Sequence, residues 1–368
     1  MSYIWQRKNW PDFTWQTDKL IDALGRARLA QGKLLSKVNA LGMGMSEESR
    51  SEILVEETIK TAAIEGQKLE ADAVRSSVAR RLGLPTSGVK KEDRNAEGMI
   101  DVIMGATVNY KKPLTTSRLK SWQAALFPTG YSGLRRIHVG KWRSGGPMQI
   151  VSGPMGREKV HFEAPPEKRI DAEMKAFIDW WEKRSKKIDG LLRSGVAHLY
   201  FVIIHPFEDG NGRIARALTD MALAQDESSP KRYYSLSSRI MKERASYYDI
   251  LEKTSKGPLD ITNWLLWFLE CYLRALEDSE ETISKVLKKA EFWRVHAETE
   301  LNRNQRKVIN RLLGAGAEGF EGGLTTRKYV SMTKTSRATA YRDIADMLNK
   351  DILVQNKGKG RSVSYRLK

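Results

Sequence analysis

The chain has 368 residues, 40% of them hydrophobic, and 63 Lys and Arg against 45 Asp and Glu, a formal net charge of +18. This is ordinary globular composition for two or three domains with a buried core, and the lone cysteine, Cys271, excludes an intrachain disulfide. No run approaches the roughly 20 apolar residues that cross a bilayer, and M-S-Y-I-W-Q-R-K-N-W lacks a signal peptide's apolar core, so a cytoplasmic protein that neither enters nor spans a membrane is expected.

The chain opens on Tyr3, Trp5, Trp10, Phe13 and Trp15, a cluster better suited to packing than to stacking on bases or sugars. A helix follows from Asp18 to Val38, then L-G-M-G-M-S (residues 41–46), read as a hinge. Ser46 is the expected N-cap of a helix from Glu47 that ends at Gly66 and packs through Ile53, Leu54 and Ile59. On it Thr61 and Glu65 lie four apart, on one face. Further helices are expected over Ala71–Leu82, Lys91–Tyr110 and Leu119–Phe127, the last capped by the Thr115–Ser117 cluster. Residues 138–166 break this habit. Met148, Gln149, Ile150 and Val151 face Val160 to Phe162 across S-G-P-M-G-R-E, a hairpin signal. His138 and His161 have no partner at metal-ligand spacing.

The most informative stretch runs from Gly195 to Leu218. Leu199–Ile204 reads as a buried helix stopped by Pro206. Gly210, Asn211 and Gly212 then open a second helix whose Arg213 and Arg216 share a face. Free N–H groups at a helix start, two guanidinium forks and the nearby Asp209 suit a phosphate chain carrying a divalent metal. His205, at the edge of the turn, is placed to take a proton from an attacking hydroxyl.

The residues from His205 to Arg216, H-P-F-E-D-G-N-G-R-I-A-R, resemble the signature of the Fic family, H-x-F-x-[D/E]-G-N-G-R-x-x-R, at every specified position. The resemblance implies a mainly α, Fic-type helical bundle with a β-hairpin flap, and transfer of AMP from ATP with Mg²⁺ to a Ser, Thr or Tyr hydroxyl of a target protein or of the chain itself. It implies His205 as general base, Asp209 as metal ligand, and Asn211 with the Gly210 and Gly212 amides around the α-phosphate. Arg213 and Arg216 would hold the outer phosphates, and Phe207 would be a structural plug. T-A-A-I-E-G, with Thr61, Glu65 and Gly66, resembles the family's inhibitory motif [S/T]-x-x-x-E-[G/N]. Glu65 would pair with Arg216 and deny it to the γ-phosphate. The hairpin, with Met148, Gln149, Ile150 and Val151, would be the flap that holds the target by strand addition, and Arg143 matches an arginine found just before it. Tyr248 falls where the family places a tyrosine near the adenosine, but Ser255 stands where it often has asparagine.

Tyr233–Leu276 reads as further helices and Glu277–Leu301 as a charged helical connector. Residues 302–368 carry 15 Lys and Arg against 5 Asp and Glu, more than half of the chain's excess charge. Their order, helix near Arg306, helix near Thr326–Met332, helix Ser336–Asn349 and two strands about K-G-K-G-R, is that of a winged helix-turn-helix. Arg337, Thr339, Tyr341 and Arg342 would face DNA, with Lys357, Lys359 and Arg361 on phosphates. Packing against the core or a second subunit is the competing use. The expected division is an N-terminal helical region (1–110) holding the inhibitory helix, a catalytic core (111–290) and the winged helix (300–368). Two other functions stay open: a DNA-binding regulator with a nucleotide-sensing core, and a hydrolase that uses Glu65 to remove AMP. A homodimer also stays open.

Overall fold

The computed structural model describes residues 2–39, 43–84, 93–152, 159–313, 322–356 and 363–368. Two compact units emerge, Met1–Ser279 and Glu280–Lys368. Among the described residues no helix is long and apolar enough to cross a membrane.

In the first unit α1 (Thr17–Asn39) buries Leu20, Ala23, Ala27, Leu34 and Val38, the three-and-four spacing of one helical face. Next, α2 covers Met43–Ile64, so Met43–Ser46 is helix, and Ser46 lies a turn inside the element it was expected to cap. With no proline in M-G-M-S, extending an existing helix upstream is easier than starting one at Ser46, and Gly44 costs only about 1 kcal/mol. Leu41 and Gly42 of the expected hinge lie outside the described residues. After α3 (Ala71–Arg81) come α4 (Arg94–Thr107), capped by the Asp93 carboxylate, and α5 (Thr116–Leu126), capped by the Thr115 hydroxyl.

Two small antiparallel hairpins follow. The first, β1 (Tyr131–Ser132) with β2 (Arg135–Arg136), is unannounced by any alternating pattern in the sequence. In the second, β3 (Gln149–Ser152) pairs with β4 (Lys159–Glu163) in the register Ile150↔Phe162 and Val151↔Val160, with an irregularity between Ile150 and Val151. Met148 stands just before β3, its carbonyl accepting the Ala164 N–H (2.9 Å). The turn residues 153–158 lie outside the described residues. Phe162 is buried, whereas Ile150, Val151 and Val160 are exposed.

Then α6 (Ile170–Glu182) leads to the central pair, α7 (Gly190–Ile204) and α8 (Asn211–Asp226), whose residues are nearly all buried. Around them lie α9 (Leu236–Lys242), α10 (Arg244–Ser255) and the start of α11 (Thr262–Val295), which holds the buried Cys271 and takes in much of the expected connector. The N-terminal aromatics pack, as their chemistry suggested. Trp5 Nε1 donates to the Glu163 carbonyl (2.7 Å), Trp10 Nε1 to Glu173 (2.8 Å), and Trp10 and Phe13 meet Tyr200 edge-on.

The second unit contains α12 (Arg303–Leu313), α13 (Thr326–Thr333), α14 (Arg337–Asn349) and an antiparallel pair, β5 (Leu353–Gln355) with β6 (Tyr365–Leu367). Val308, Ile309, Leu324, Tyr329, Ile344 and Met347 form its core. Asp343 pins the bundle by accepting from Tyr329 Oη (2.6 Å) and Asn302 Nδ2 (2.9 Å). Arg337, Tyr341 and Arg342 are exposed on α14, but Thr339 is half-buried, its N–H spent on the Ser336 N-cap hydroxyl (3.1 Å). Lys357, Lys359 and Arg361 lie outside the described residues.

Candidate active site

The turn from α7 into α8 brings the predicted chemistry together. His205 closes α7 in a left-handed conformation (φ 51°), its N–H still reaching the Phe201 carbonyl (3.0 Å). A non-glycine residue there costs about 1 kcal/mol and needs support. Arg143 supplies it: its Nε donates to the His205 carbonyl (2.8 Å), its backbone N–H to the Pro206 carbonyl (2.9 Å), and its Nη2 to the Pro165 carbonyl. The arginine noted before the hairpin is thus the clamp that fixes the histidine's backbone. His205 Nδ1 lies 3.3 Å from the Val202 carbonyl, so the tautomer with its proton on Nδ1 leaves Nε2 as a proton acceptor. Burial, aided by the Arg143 charge, pushes the imidazole pKa down to about 4 against the opposing pull of Val202, Glu65 and Asp209. The ring is therefore neutral at pH 7, as a base must be.

Within the loop, Phe207 is wholly buried against Trp142 and Phe201. Asn211 staples this turn: its Oδ1 accepts the Phe207 N–H (2.9 Å) and its Nδ2 donates to the Phe207 carbonyl (2.8 Å). These two bonds fix the shape of the loop and leave one of the two Nδ2 donors over. Gly210 takes φ +90°, and a Cβ there would lie 3.0 Å from the Phe127 ring. The Gly210 N–H donates to Asp209 Oδ1 (2.5 Å), and Asp209 Oδ2 accepts from the Ser132 hydroxyl of the first hairpin. Ser132 had no signal in the sequence, because a serine in a two-residue strand has no periodicity to betray it.

Arg213 and Arg216 are both buried. Arg216 Nε donates to the Thr61 hydroxyl (2.7 Å), and Nη2 to the Thr61 carbonyl and to Glu65 Oε1 (both 2.9 Å). Burial opposes the Arg216 charge, but the Glu65 carboxylate more than restores it and raises the pKa. Arg213 lies over the Phe127 ring, 3.5 Å from Asp209 Oδ1, and donates to Gln67 Oε1 (2.9 Å). Arg216 Nη1 and Arg213 Nε are buried donors with no acceptor among the described residues. Buried donors without acceptors are unfavourable, and an incoming polyanion would satisfy them.

Glu65 reaches this point because α2 ends beside it. Gly66 takes φ +77°, Gln67 N–H returns to the Ala62 carbonyl (3.0 Å) and Gly66 N–H to the Ala63 carbonyl (2.9 Å), the bonding of a Schellman stop. Across from it, a Cβ on Gly212 would sit 2.2 Å from Glu65 Oε1, so a side chain there would push the carboxylate aside. The helix is seated by buried Glu57, which accepts from Ser235 Oγ (2.8 Å) and Ser237 N (3.1 Å). Its end is held by Arg244 Nε on the Ile64 carbonyl (2.9 Å). Tyr248, expected near a nucleoside, is half-exposed, stacks under Arg244 and points its hydroxyl toward the same carbonyl (3.4 Å). Ser255 is buried, its hydroxyl donating to the Glu252 carbonyl (2.9 Å).

Below Arg216 lies His198, bridging Thr219 Oγ1 (2.9 Å) and Tyr247 Oη (2.8 Å). Burial and the Arg216 charge push its pKa down to about 3. The unfolded chain therefore binds a proton below pH 6.5 that the folded chain refuses, and stability falls as pH falls from about 6.5 toward 3 by up to about 1.4 kcal/mol per unit. Denaturant titrations from pH 7 to 4 should show a shallower loss in His198→Gln than in the parent. Equal slopes would remove His198 as the cause.

Residues 3–84 match a family described as a domain of unknown function (DUF4172), and residues 113–223 match the Fic/DOC family. Over 88 residues, 24% of this chain and 16% of the relative, the sequence is 33% identical to protein adenylyltransferase fic-1 of Caenorhabditis elegans. Over 114 residues, 31% of this chain and 25% of the relative, it is 28% identical to protein adenylyltransferase Fic of Nematostella vectensis. The chain thus spans a quarter or less of these two proteins. A Fic family protein from Desulfovibrio desulfuricans shares the fold with a TM-score of 0.56 over 97% of this chain and 98% of its own, at 18% identity. A Fic domain containing signaling protein from Bacteroides thetaiotaomicron does so with 0.53 over 70% and 97%, at 20% identity.

Proposed function

We propose that this chain, whose residues 113–223 match the Fic/DOC family, is an auto-inhibited adenylyltransferase acting on a Ser, Thr or Tyr hydroxyl of a protein. One observation carries the reading: two arginines with unpartnered buried donors stand in the first turns of α8 beside a neutral histidine, and Glu65 is bonded to one of them. In this reading Arg213 and Arg216 bind the outer phosphates of ATP, and His205 Nε2 takes the hydroxyl proton as its oxygen attacks the α-phosphorus. The new O–P bond forms as the bond to pyrophosphate breaks. Asp209, an oxygen donor steadied by Ser132 and Gly210, fits Mg²⁺, which takes one or two carboxylates and completes its shell with phosphates and water. Bound there, the ion would neutralise phosphate charge. The β3–β4 hairpin, with exposed Ile150, Val151 and Val160, would present the target by strand addition.

Glu65 and Thr61 on Arg216 would be the brake, so the intact protein transfers weakly. The test is incorporation of α-phosphate label from each of the four nucleotides, with parent and Glu65→Gly side by side. Removal of AMP by the parent, lost in Glu65→Gly, would instead favour a hydrolase in which Glu65 aligns water.

For the second unit the reading is a winged helix that places α14 against DNA, since Arg337, Tyr341 and Arg342 stand exposed on that helix. The full-length protein should then shift duplex DNA, with the shift weakening as salt rises and in Arg337→Ala/Arg342→Ala. Binding that ignores both would leave the unit a packing module.

A further inference from the structure

We infer that Gln67 is a second lock on the phosphate cradle, holding Arg213 while Glu65 holds Arg216. This rests on the proposed reading of the cradle as an ATP site. The two arginines are one face of one helix, and their captors are the residues on either side of one glycine. Gln67 Oε1 accepts from Arg213 Nη1 at 2.9 Å, and Glu65 Oε1 accepts from Arg216 Nη2 at 2.9 Å. The main-chain bonds through Gly66 and Gln67 back to Ala63 and Ala62 fix the spacing between the two captors. Neither can move far without the other.

Arg213 needs a captor for its own reasons. It is buried, desolvation lowers its pKa, and its contact with Asp209 is long at 3.5 Å. Its Nε has no acceptor among the described residues, so Gln67 supplies its one short side-chain bond there. A phosphate seeking the Arg213 fork must displace that amide, as it must displace Glu65 from Arg216. An amide is a weaker competitor for a guanidinium than a carboxylate, so the Gln67 lock is the lighter of the two. Gln67 is accordingly a positioning residue: it acts through Arg213 and touches no reacting atom.

The lock predicts opposite signs for two substitutions of nearly the same shape. Gln67→Leu removes the acceptor and should tighten binding of a non-hydrolysable ATP analogue, measured calorimetrically on the full-length protein, by about fivefold. Gln67→Glu turns the bond into an ion pair and should weaken that binding by at least as much. A purely structural role for Gln67 would move both variants the same way, and thermal melts of each report whether folding has changed. If both bind the analogue within twofold of the parent, the lock is overturned. Label transfer keeps this separate from the wider reading. Glu65→Gly failing to transfer from any nucleotide while the Gln67 pair still splits analogue binding would sink adenylyl transfer and leave the lock standing. Transfer by Glu65→Gly with no split would do the reverse.

Discussion

Replacing Glu65 by glycine is expected to raise incorporation of AMP about 100-fold over the parent, the factor by which a misplaced reactant commonly slows an enzyme. Arg216 is buried, and its charge is upheld in the empty protein by Glu65. While that bond stands, the fork is taken on two sides, by Thr61 and by Glu65, and in the proposed reading it is closed to a γ-phosphate. Removing the carboxylate frees the fork but leaves a buried cation with less compensation, so the empty variant should lose about 2 kcal/mol of stability. Bound ATP restores the missing negative charge. Thermal melts should therefore show a larger ATP-induced rise in the variant than in the parent. Label no greater in Glu65→Gly than in the parent would end the inhibitory assignment.

In that released background, His205→Ala is expected to cut transfer by about 1000-fold, within the range usual for a positioned general base. The substitution should barely change ATP binding, because in the proposed reading the phosphate partners are the arginines and the α8 N-terminus. The parent ring also sets a pH signature. With its pKa near 4 in the free protein, His205 is already neutral above pH 5, and kcat/KM should stay flat on acidification from pH 8 to 5. A limb centred near the ordinary value of 6.5 would show that another group carries the proton. Retained transfer in the alanine variant would remove the base role altogether.

Much of this site was legible because its residues are contiguous. His205 to Arg216 form one turn and the start of one helix, so sequence spacing is close to spatial spacing. Thr61 and Glu65 were legible as neighbours on a helix, and the bond to Arg216, across 151 residues, came from a resemblance and not from periodicity. Gln67 lay beyond both kinds of reasoning. It follows the glycine that ends the helix, carries no charge, and meets Arg213 only because the chain reverses at Gly66. Asn211 reads in sequence as a ligand group, and its second task, stapling the turn at Phe207, shows only in the tertiary geometry. The start of α2 was misplaced because Ser46 is a good cap by type, while capping is decided by where the helix can no longer be extended.

The end of α2 and the arginines it holds belong to one polypeptide, which gives their bond a particular arithmetic. Diluting the protein leaves the captors at the same effective concentration, so activity per molecule should be the same at nanomolar and micromolar protein. Nucleotide is different, since it competes for the same guanidinium groups and its occupancy rises with its own concentration. If the released form is about 100-fold faster, the cradle stands open in roughly one molecule in a hundred at any instant. The output of each molecule would then follow the abundance of its nucleotide and be indifferent to the abundance of the protein itself.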